Sequence, residues 1–186
     1  MKNIIAGVDE VGRGSLIGPV YAAAVILNKN INTKLLKDSK LLSKKERQKI
    51  YLYIKKNSFW SIGIASVNEI ENLNILNASL LAMGRAIKKL KKKPSLVLVD
   101  GNKLPDIKNY KIKCVIKGDQ KISSISAASI VAKVSRDKFI TKLSKKFKNY
   151  GWEKNFGYGT KKHLIALKKF GSTKHHRRTF SPIYKI

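Results

Sequence analysis

Asn3-Ile4-Ile5-Ala6-Gly7-Val8-Asp9-Glu10-Val11-Gly12-Arg13-Gly14 sets an apolar run, two carboxylates and a glycine turn end to end. The run from Asn3 to Val8 reads as a strand whose end carries Asp9 and Glu10. Beyond the turn, Val20 to Leu27 is apolar throughout, as expected of a strand buried on both faces, and Asn28 to Asn32 is its turn. Phe59 to Val67 alternates well enough for a third strand. Ser95 to Val99 is an apolar run stopped by Asp100-Gly101-Asn102, and Lys111 to Ile116 is another, stopped by Lys117-Gly118-Asp119. Apolar strands interleaved with helices predict an α/β chain with a central sheet covered on both faces.

The helices are announced by their starts. Ser43 with Glu46 is a capping box, followed by Ile50 and Ile54 on one face. Ser66 with Glu69 is a second, opening a segment with Leu73, Leu80, Ile87 and Leu90 that Pro94 ends; Asn74 or Gly84 is a candidate break within it. Ser124 or Ser126 is the expected cap of a third helix, with Ile130, Val131 and Val134 inward. Thr160 caps a fourth, with Leu164, Leu167 and Phe170 inward and Gly171 as its stop. The basic stretch from Lys174 to Ile186 is expected to lie loosely over the surface.

Length and charge bound the class. A chain of 186 residues is enough for one domain with a real core. The longest uncharged stretch, Gly14 to Leu27, is too short to cross a bilayer, and Met1 to Ile5 has no signal-peptide pattern. The single cysteine, Cys114, excludes an internal disulfide and a cysteine-based zinc site, so a cytoplasmic protein is expected. Forty Lys and Arg against eleven Asp and Glu give a net charge of +29, the footprint of a polyanion binder. Only six of the forty are Arg, and Ile and Asn are abundant; an AT-biased genome writes this pattern, so part of the lysine excess needs no functional reason.

With so few acids, their positions carry information. Asp9, Glu10, Asp100 and Asp119 sit at strand ends or in the loop after one, and neighbouring strand ends bring such residues together in a sheet. Clustered carboxylates repel one another, and a hard divalent cation relieves the repulsion. Two such ions about 3.5–4 Å apart support phosphodiester hydrolysis. Against this, strand-end acids also form turns or cap helices, and Asp9 and Glu10 share a site only where the strand ends or twists. Glu46 and Glu69 read as capping residues, Asp106 as a loop residue, and Asp137 as the ion-pair partner of Lys133.

The turn Gly12-Arg13-Gly14-Ser15-Leu16-Ile17-Gly18 is G-x-G-x-x-x-G and is followed by Pro19 rather than by a helix, so it fails as a dinucleotide fingerprint. Beside carboxylates it lets the backbone approach a sugar-phosphate closely. The alternative is a tight turn for chain reversal alone.

Gly7 to Gly14 with Gly18-Pro19-Val20 resembles the opening of bacterial ribonuclease HII. Leu36-Lys37-Asp38-Ser39-Lys40 with Leu42-Ser43, Val97 to Asn102, Lys117-Gly118-Asp119 through Ile125 to Asp137, Gly157 to His163, and His176 to Phe180 resemble its later blocks in order. Two departures, Lys148 for a common proline and Asn155 for a common histidine, fall before Tyr158. The sister ribonuclease HIII usually has an extra N-terminal domain and lacks the turn arginine, so Arg13 favours type II.

The resemblance implies a ribonuclease H-like fold: a mixed central sheet of about five strands flanked by helices, in a single catalytic domain with 141–186 as a C-terminal helical extension. It implies a metal-dependent endonuclease cleaving the RNA strand of RNA/DNA hybrids and incising 5′ of single ribonucleotides in duplex DNA, as in ribonucleotide excision repair. Asp9, Glu10, Asp100 and Asp119 would hold two Mg²⁺ or Mn²⁺ ions as the catalytic acids. Gly12, Arg13 and Gly14 would contact the ribose 2′-hydroxyl and adjacent phosphate, and Tyr158 would pack on the neighbouring deoxyribose, reading sugar rather than base. His163, His175 and His176 are expected as phosphate neighbours or surface residues. A monomer is expected, with no membrane contact. A replication clamp is a candidate partner, though 179–186 shows no evident clamp-binding peptide. The rivals are a DNA-junction nuclease of the same fold and a non-catalytic nucleic-acid binder.

Overall fold

A computed structural model describes residues 4–36 and 42–185; of the second family block, Lys37 to Lys40 lie outside the described residues. Five strands form one sheet: β1 (Ile5–Val11), β2 (Val20–Leu27), β3 (Ser58–Ala65), β4 (Leu96–Asp100) and β5 (Ile112–Val115), in the order β3-β2-β1-β4-β5. The first three pair antiparallel, and β4 lies parallel to both β1 and β5. The chain reaches β4 from β1 through β2, α1 (Lys44–Lys56), β3 and α2 (Val67–Lys88), and reaches β5 from β4 through the helix-free loop 101–111; the short α3 (Gly118–Lys121), α4 (Ser123–Ser144), α5 (Trp152–Asn155) and α6 (Lys161–Phe170) follow the last strand.

Both faces of the sheet are covered, which is why β2 carries no alternation. Ala22 and Ala24 pack with Ala6, Val8, Ala78 and Ala82 on the α2 side. Ala23 and Val25 pack with Ile54, Ala127 and Val131 on the α1/α4 side. Small side chains bring the helices in close. At Gly7 the approach leaves no room at all, since a Cβ there would come 2.1 Å from the Ser124 carbonyl carbon. A third cluster of Leu16, Ile17, Ile140, Trp152 and Leu167 seats the C-terminal portion against the end of α4.

Both capping boxes form: Glu46 N–H donates to Ser43 Oγ, Glu69 N–H donates to Ser66 Oγ, and each glutamate accepts in return. Glu69 also takes Arg85 at 2.6 and 2.9 Å, which holds its carboxyl down to about 2. The break in α2 falls at Asn74 (φ 66°), whose Oδ1 accepts from Asn77 N–H and so caps the second half; Gly84 stays helical. Elsewhere the sequence expectations need correction. Ile122, not a serine, stands at the N-cap of α4, and Ser124 and Ser126 are buried, the latter donating to the Leu36 carbonyl. The helical turn α3 has no sequence signal. On α6, Phe170 is exposed and His163 is the inward residue. The stretch after Lys174 is no loose cover: His176, Arg177 and Ile183 are buried, and His176 bridges to Ile17. Among the described residues no helix is long and apolar enough to cross a membrane.

Candidate active site

The carboxylates converge because β4 ends alongside the carboxylate pair of β1. Their parallel register pairs Val8 with Val99, which sets Asp9 beside Asp100 one residue further on. Gly7 faces α4, so Asp9, two residues on, faces the same helix, and Ser129 of α4 hydrogen-bonds its carboxyl. Asp119 comes from the first turn of α3, entered through left-handed Lys117 (φ 54°). Gly118 N–H, at the start of that turn, donates to Asp100 Oδ1 at 2.7 Å and ties it to the end of β4.

Asp9, Glu10, Asp100 and Asp119 line one cavity of about 420 Å³, shared with Arg47 of α1 and with Ser129 and Lys133 of α4. A smaller one, about 290 Å³ on the α2 side, is lined by Glu10, Asp100, Arg13 and Asn102. Glu10 and Asp100 therefore stand on the rim between the two faces: β4 ends at Asp100, while β1 runs on, paired with β2 through Val11, so Asp9 and Glu10 point to opposite faces and Glu10 lines both cavities.

Burial of Asp9 (6% exposed) pushes its carboxyl well above the usual range, and the charges of Glu10 and then Asp100 push it further. Glu10 is raised too, chiefly by burial, with Arg13 opposing at 3.4 Å. Among the described residues, no three Asp, Glu, His or Cys side chains are disposed to grip a metal ion by themselves. Mg²⁺ and Mn²⁺ at phosphate sites ask less, since one or two carboxylates suffice when waters and phosphate oxygens complete the shell. The oxygen-only donors and their mutual repulsion fit that class of cation.

The glycine turn is held beside this cavity by two buried arginines. Arg136 of α4 donates to the carbonyls of Pro19, Phe156 and Ile17 at 3.0–3.1 Å. Arg177 donates to those of Gly18 and Arg13 at 2.9 and 2.8 Å. Gly12 has φ 94°, and a Cβ there would lie 2.2 Å from Arg136 Nε, so this position admits only glycine; Gly14 faces open space. Tyr158 does not line the carboxylate cavity. It bridges to Ser15 of the turn, and Lys133 spans the interval, lining the cavity with its Nζ 5.9 Å from the Tyr158 ring centroid.

Lys133 also pairs with Asp137 at 2.9 Å, as expected, so Asp137 stays outside the carboxylate group. Asn155 accepts from Gly157 N–H and shapes the loop in front of Tyr158. The histidine expectation is overturned for two of the three: His163 and His176 are buried, at 0% and 1% exposure. The sequence reading missed Ser129, Arg47 and Lys133 as cavity residues. The available signal was the four-residue step from Ser129 to Lys133, which puts both on one face of a helix.

Residues 6–183 match the family model Ribonuclease HII. The chain is 76% identical over 180 residues to the Ribonuclease HII of Pelagibacter ubique, covering 97% of each. Among solved structures it is similar to the ribonuclease H2 of Pyrococcus horikoshii, with TM-score 0.83 and 27% identity over 97% of this chain and 95% of that one. It is also similar to the RNase HII of a PCNA:RNase HII complex from Archaeoglobus fulgidus, with TM-score 0.80 and 26% identity over 95% of each.

Proposed function

The chain belongs to the ribonuclease HII family, and on that premise we propose that its carboxylate cavity cleaves the RNA strand of RNA/DNA hybrids and incises duplex DNA 5′ of a single embedded ribonucleotide. The fold is the ribonuclease H-like fold, and the protein is a hydrolase, a type II ribonuclease H. The products would be a 3′-hydroxyl and a 5′-phosphate. The observation that carries the reading is the meeting of Asp9, Glu10, Asp100 and Asp119 in one cavity whose rim residue Glu10 is paired with Arg13 of the glycine turn.

Asp9, Glu10, Asp100 and Asp119 would hold Mg²⁺ or Mn²⁺, which supplies positive charge to the scissile phosphate and acidifies water. The chain's own residues do the rest. Arg47 and Lys133 line the same cavity and draw the phosphate into it. The turn from Gly12 to Gly14 presents backbone to the 2′-hydroxyl with no side chain in the way at Gly14. The Tyr158 ring packs on the deoxyribose that follows the ribonucleotide, so that the step from ribose to deoxyribose is read at the sugar. The reading places the protein in the cytoplasm as a monomer serving ribonucleotide repair. A replication clamp is carried as partner on the strength of the Archaeoglobus complex.

The deciding assay uses two duplexes, identical except that one carries a single ribonucleotide. Incision at the ribonucleotide with Mg²⁺ or Mn²⁺, none in chelator and none on the all-DNA duplex, is expected. Equal cutting in chelator, or cutting of the all-DNA duplex, would overturn the reading.

Affinity for the backbone has its own address. A groove of about 370 Å³ between α1 and α4 is lined by Lys44, Lys138, Lys142 and Lys145, and it shares Arg47 with the carboxylate cavity. Four phosphate contacts there would make kcat/KM fall roughly 10²-fold between 50 and 200 mM salt. The double substitution Lys142→Glu, Lys145→Glu should flatten the log–log slope by about 2 while leaving the cleavage position unchanged. An unaltered slope would show that the strand runs elsewhere.

A further inference from the structure

The loop that carries Tyr158 has little stiffness of its own. Gly157 (φ 83°) and Gly159 flank the tyrosine, and glycine restrains the backbone least of all residues. Hydrogen bonds fix it instead. Tyr158 N–H donates to the Asn155 carbonyl at 2.9 Å, and the Tyr158 carbonyl accepts from Thr160 N–H at 2.8 Å and from His163 Nδ1 at 3.0 Å.

His163 is buried, and its Nε2 lies 3.0 Å from the Trp152 indole nitrogen and 3.3 Å from His176 Nε2. An indole only donates, so this nitrogen is bare and the ring proton sits on Nδ1, aimed at Tyr158. His176 is set the same way. Thr173 N–H donates to its Nδ1 at 2.8 Å, which leaves the proton on Nε2, aimed at His163. In this neutral arrangement His163 Nε2 faces the N–H groups of both Trp152 and His176, while His176 Nδ1 faces Thr173 N–H with the Thr173 hydroxyl beside it at 3.0 Å; a proton added at His163 Nε2 would face two donors.

We propose that the His163–His176 pair, its tautomers set by Trp152 and Thr173, is the positioning element for Tyr158 and thereby sets the preference for a ribonucleotide–deoxyribonucleotide junction over a continuous RNA/DNA hybrid. This rests on the role given above to Tyr158 as the residue that packs on the deoxyribose. The pair reaches both halves of that reader. His163 holds the Tyr158 carbonyl, while His176 bridges to Ile17 and the adjacent His175 carbonyl accepts from Gly18 N–H, pinning the glycine turn. Burial keeps both rings neutral, lowering His163 and bringing His176 down to about 4. Neither histidine is a catalytic residue; both act through the loop they hold.

The test is the ratio of kcat/KM on a duplex with one ribonucleotide to that on a continuous hybrid. Tyr158→Ala should lower this ratio roughly tenfold, the scale of a small misplacement. His163→Leu should lower it by a similar factor, and the double variant no further than either single one. His163→Asn, whose amide N–H stands near the place of Nδ1–H, should keep the ratio within about twofold of the parent. A long-range ¹⁵N imidazole spectrum of the unaltered protein should show protons on His163 Nδ1 and His176 Nε2, which decides the matter even where His163→Leu fails to fold. A proton found on His163 Nε2 overturns the proposal, as does a parental ratio in His163→Leu beside a lowered one in Tyr158→Ala. A parental ratio in Tyr158→Ala itself instead overturns the reading of Tyr158 and takes this proposal with it.

Discussion

Asp9→Asn is expected to silence cleavage and, at neutral pH, to raise the melting temperature of the cation-free protein. The loss follows from the cavity: removing one of its charged oxygen donors forfeits several kcal/mol of charge stabilisation, and each ~1.4 kcal/mol is tenfold, so about 10³-fold is expected. The gain follows from burial. The folded protein holds the Asp9 carboxyl well above 3.8, for burial first and then for the charges of Glu10 and Asp100. Between the ordinary value and the raised one, the folded state binds more proton than the unfolded state, so stability falls as pH rises through that window. At pH 7 burial of this carboxyl opposes folding, and burial of an amide of the same shape does so less. Below about pH 4 the parent protein is protonated there, and the advantage of the variant should vanish. Added Mg²⁺ should raise the melting point of the parent and much less that of the variant. Asp100→Asn provides the contrast: it should be equally silent, but its carboxylate is only half-buried and is tied to Gly118 N–H at 2.7 Å, so no gain in stability is expected. Single-turnover cleavage with melts at several pH values checks all of this. An Asp9→Asn protein that cuts normally, or melts lower at pH 7, would refute it.

The different stability effects expected at Asp9 and Asp100 show what could be read from the sequence and what could not. Both acids stood out because a chain of +29 places few carboxylates and puts these at the ends of apolar runs. The strands were equally legible, since β2 is apolar throughout and only a doubly covered strand sustains such a run. Partners were not legible. Ser129 meets Asp9 because α4 lies directly on β1 at Gly7, an approach set by packing rather than by any local pattern. The same packing buries Ser124 and Ser126 and so removes them as helix caps. The tail misled for a related reason. His176 and Arg177 are polar letters in a basic stretch, which reads as a surface, yet each is buried with hydrogen bonds that reach distant segments. Those partners lie 13 to 164 positions away, and a single sequence does not pair them.

Arg136→Met should be the most destabilising substitution near the site that leaves all four acids in place. Its guanidinium is fully buried and spends three of its donors on the carbonyls of Pro19, Ile17 and Phe156, joining the glycine turn to the loop before Tyr158. Methionine fills much of the volume but strands the Pro19 carbonyl and leaves those of Ile17 and Phe156 with the Ser15 hydroxyl alone between them, at about 1–3 kcal/mol for each partner lost. Relief from holding a cation out of water returns part of that. A net loss of about 3 kcal/mol is expected, which for a chain of this size lowers Tm by roughly 6–12 °C. Arg136→Lys should not rescue it, because an ammonium has no planar fork with which to hold three carbonyls at once. Arg177→Met should be milder. Arg177 already carries a buried Nη2 without a partner among the described residues, and burial, with the neighbouring Arg136 charge, lowers it to about 9, so its removal gives more back. The kinetic signature separates the turn from the acids. Loosening the turn should raise KM for a duplex with one ribonucleotide more than it lowers kcat, whereas Asp9→Asn acts on kcat. Urea unfolding with steady-state kinetics on the three variants tests the order, and an Arg136→Met protein as stable as the parent would show that the turn is held by something other than this guanidinium.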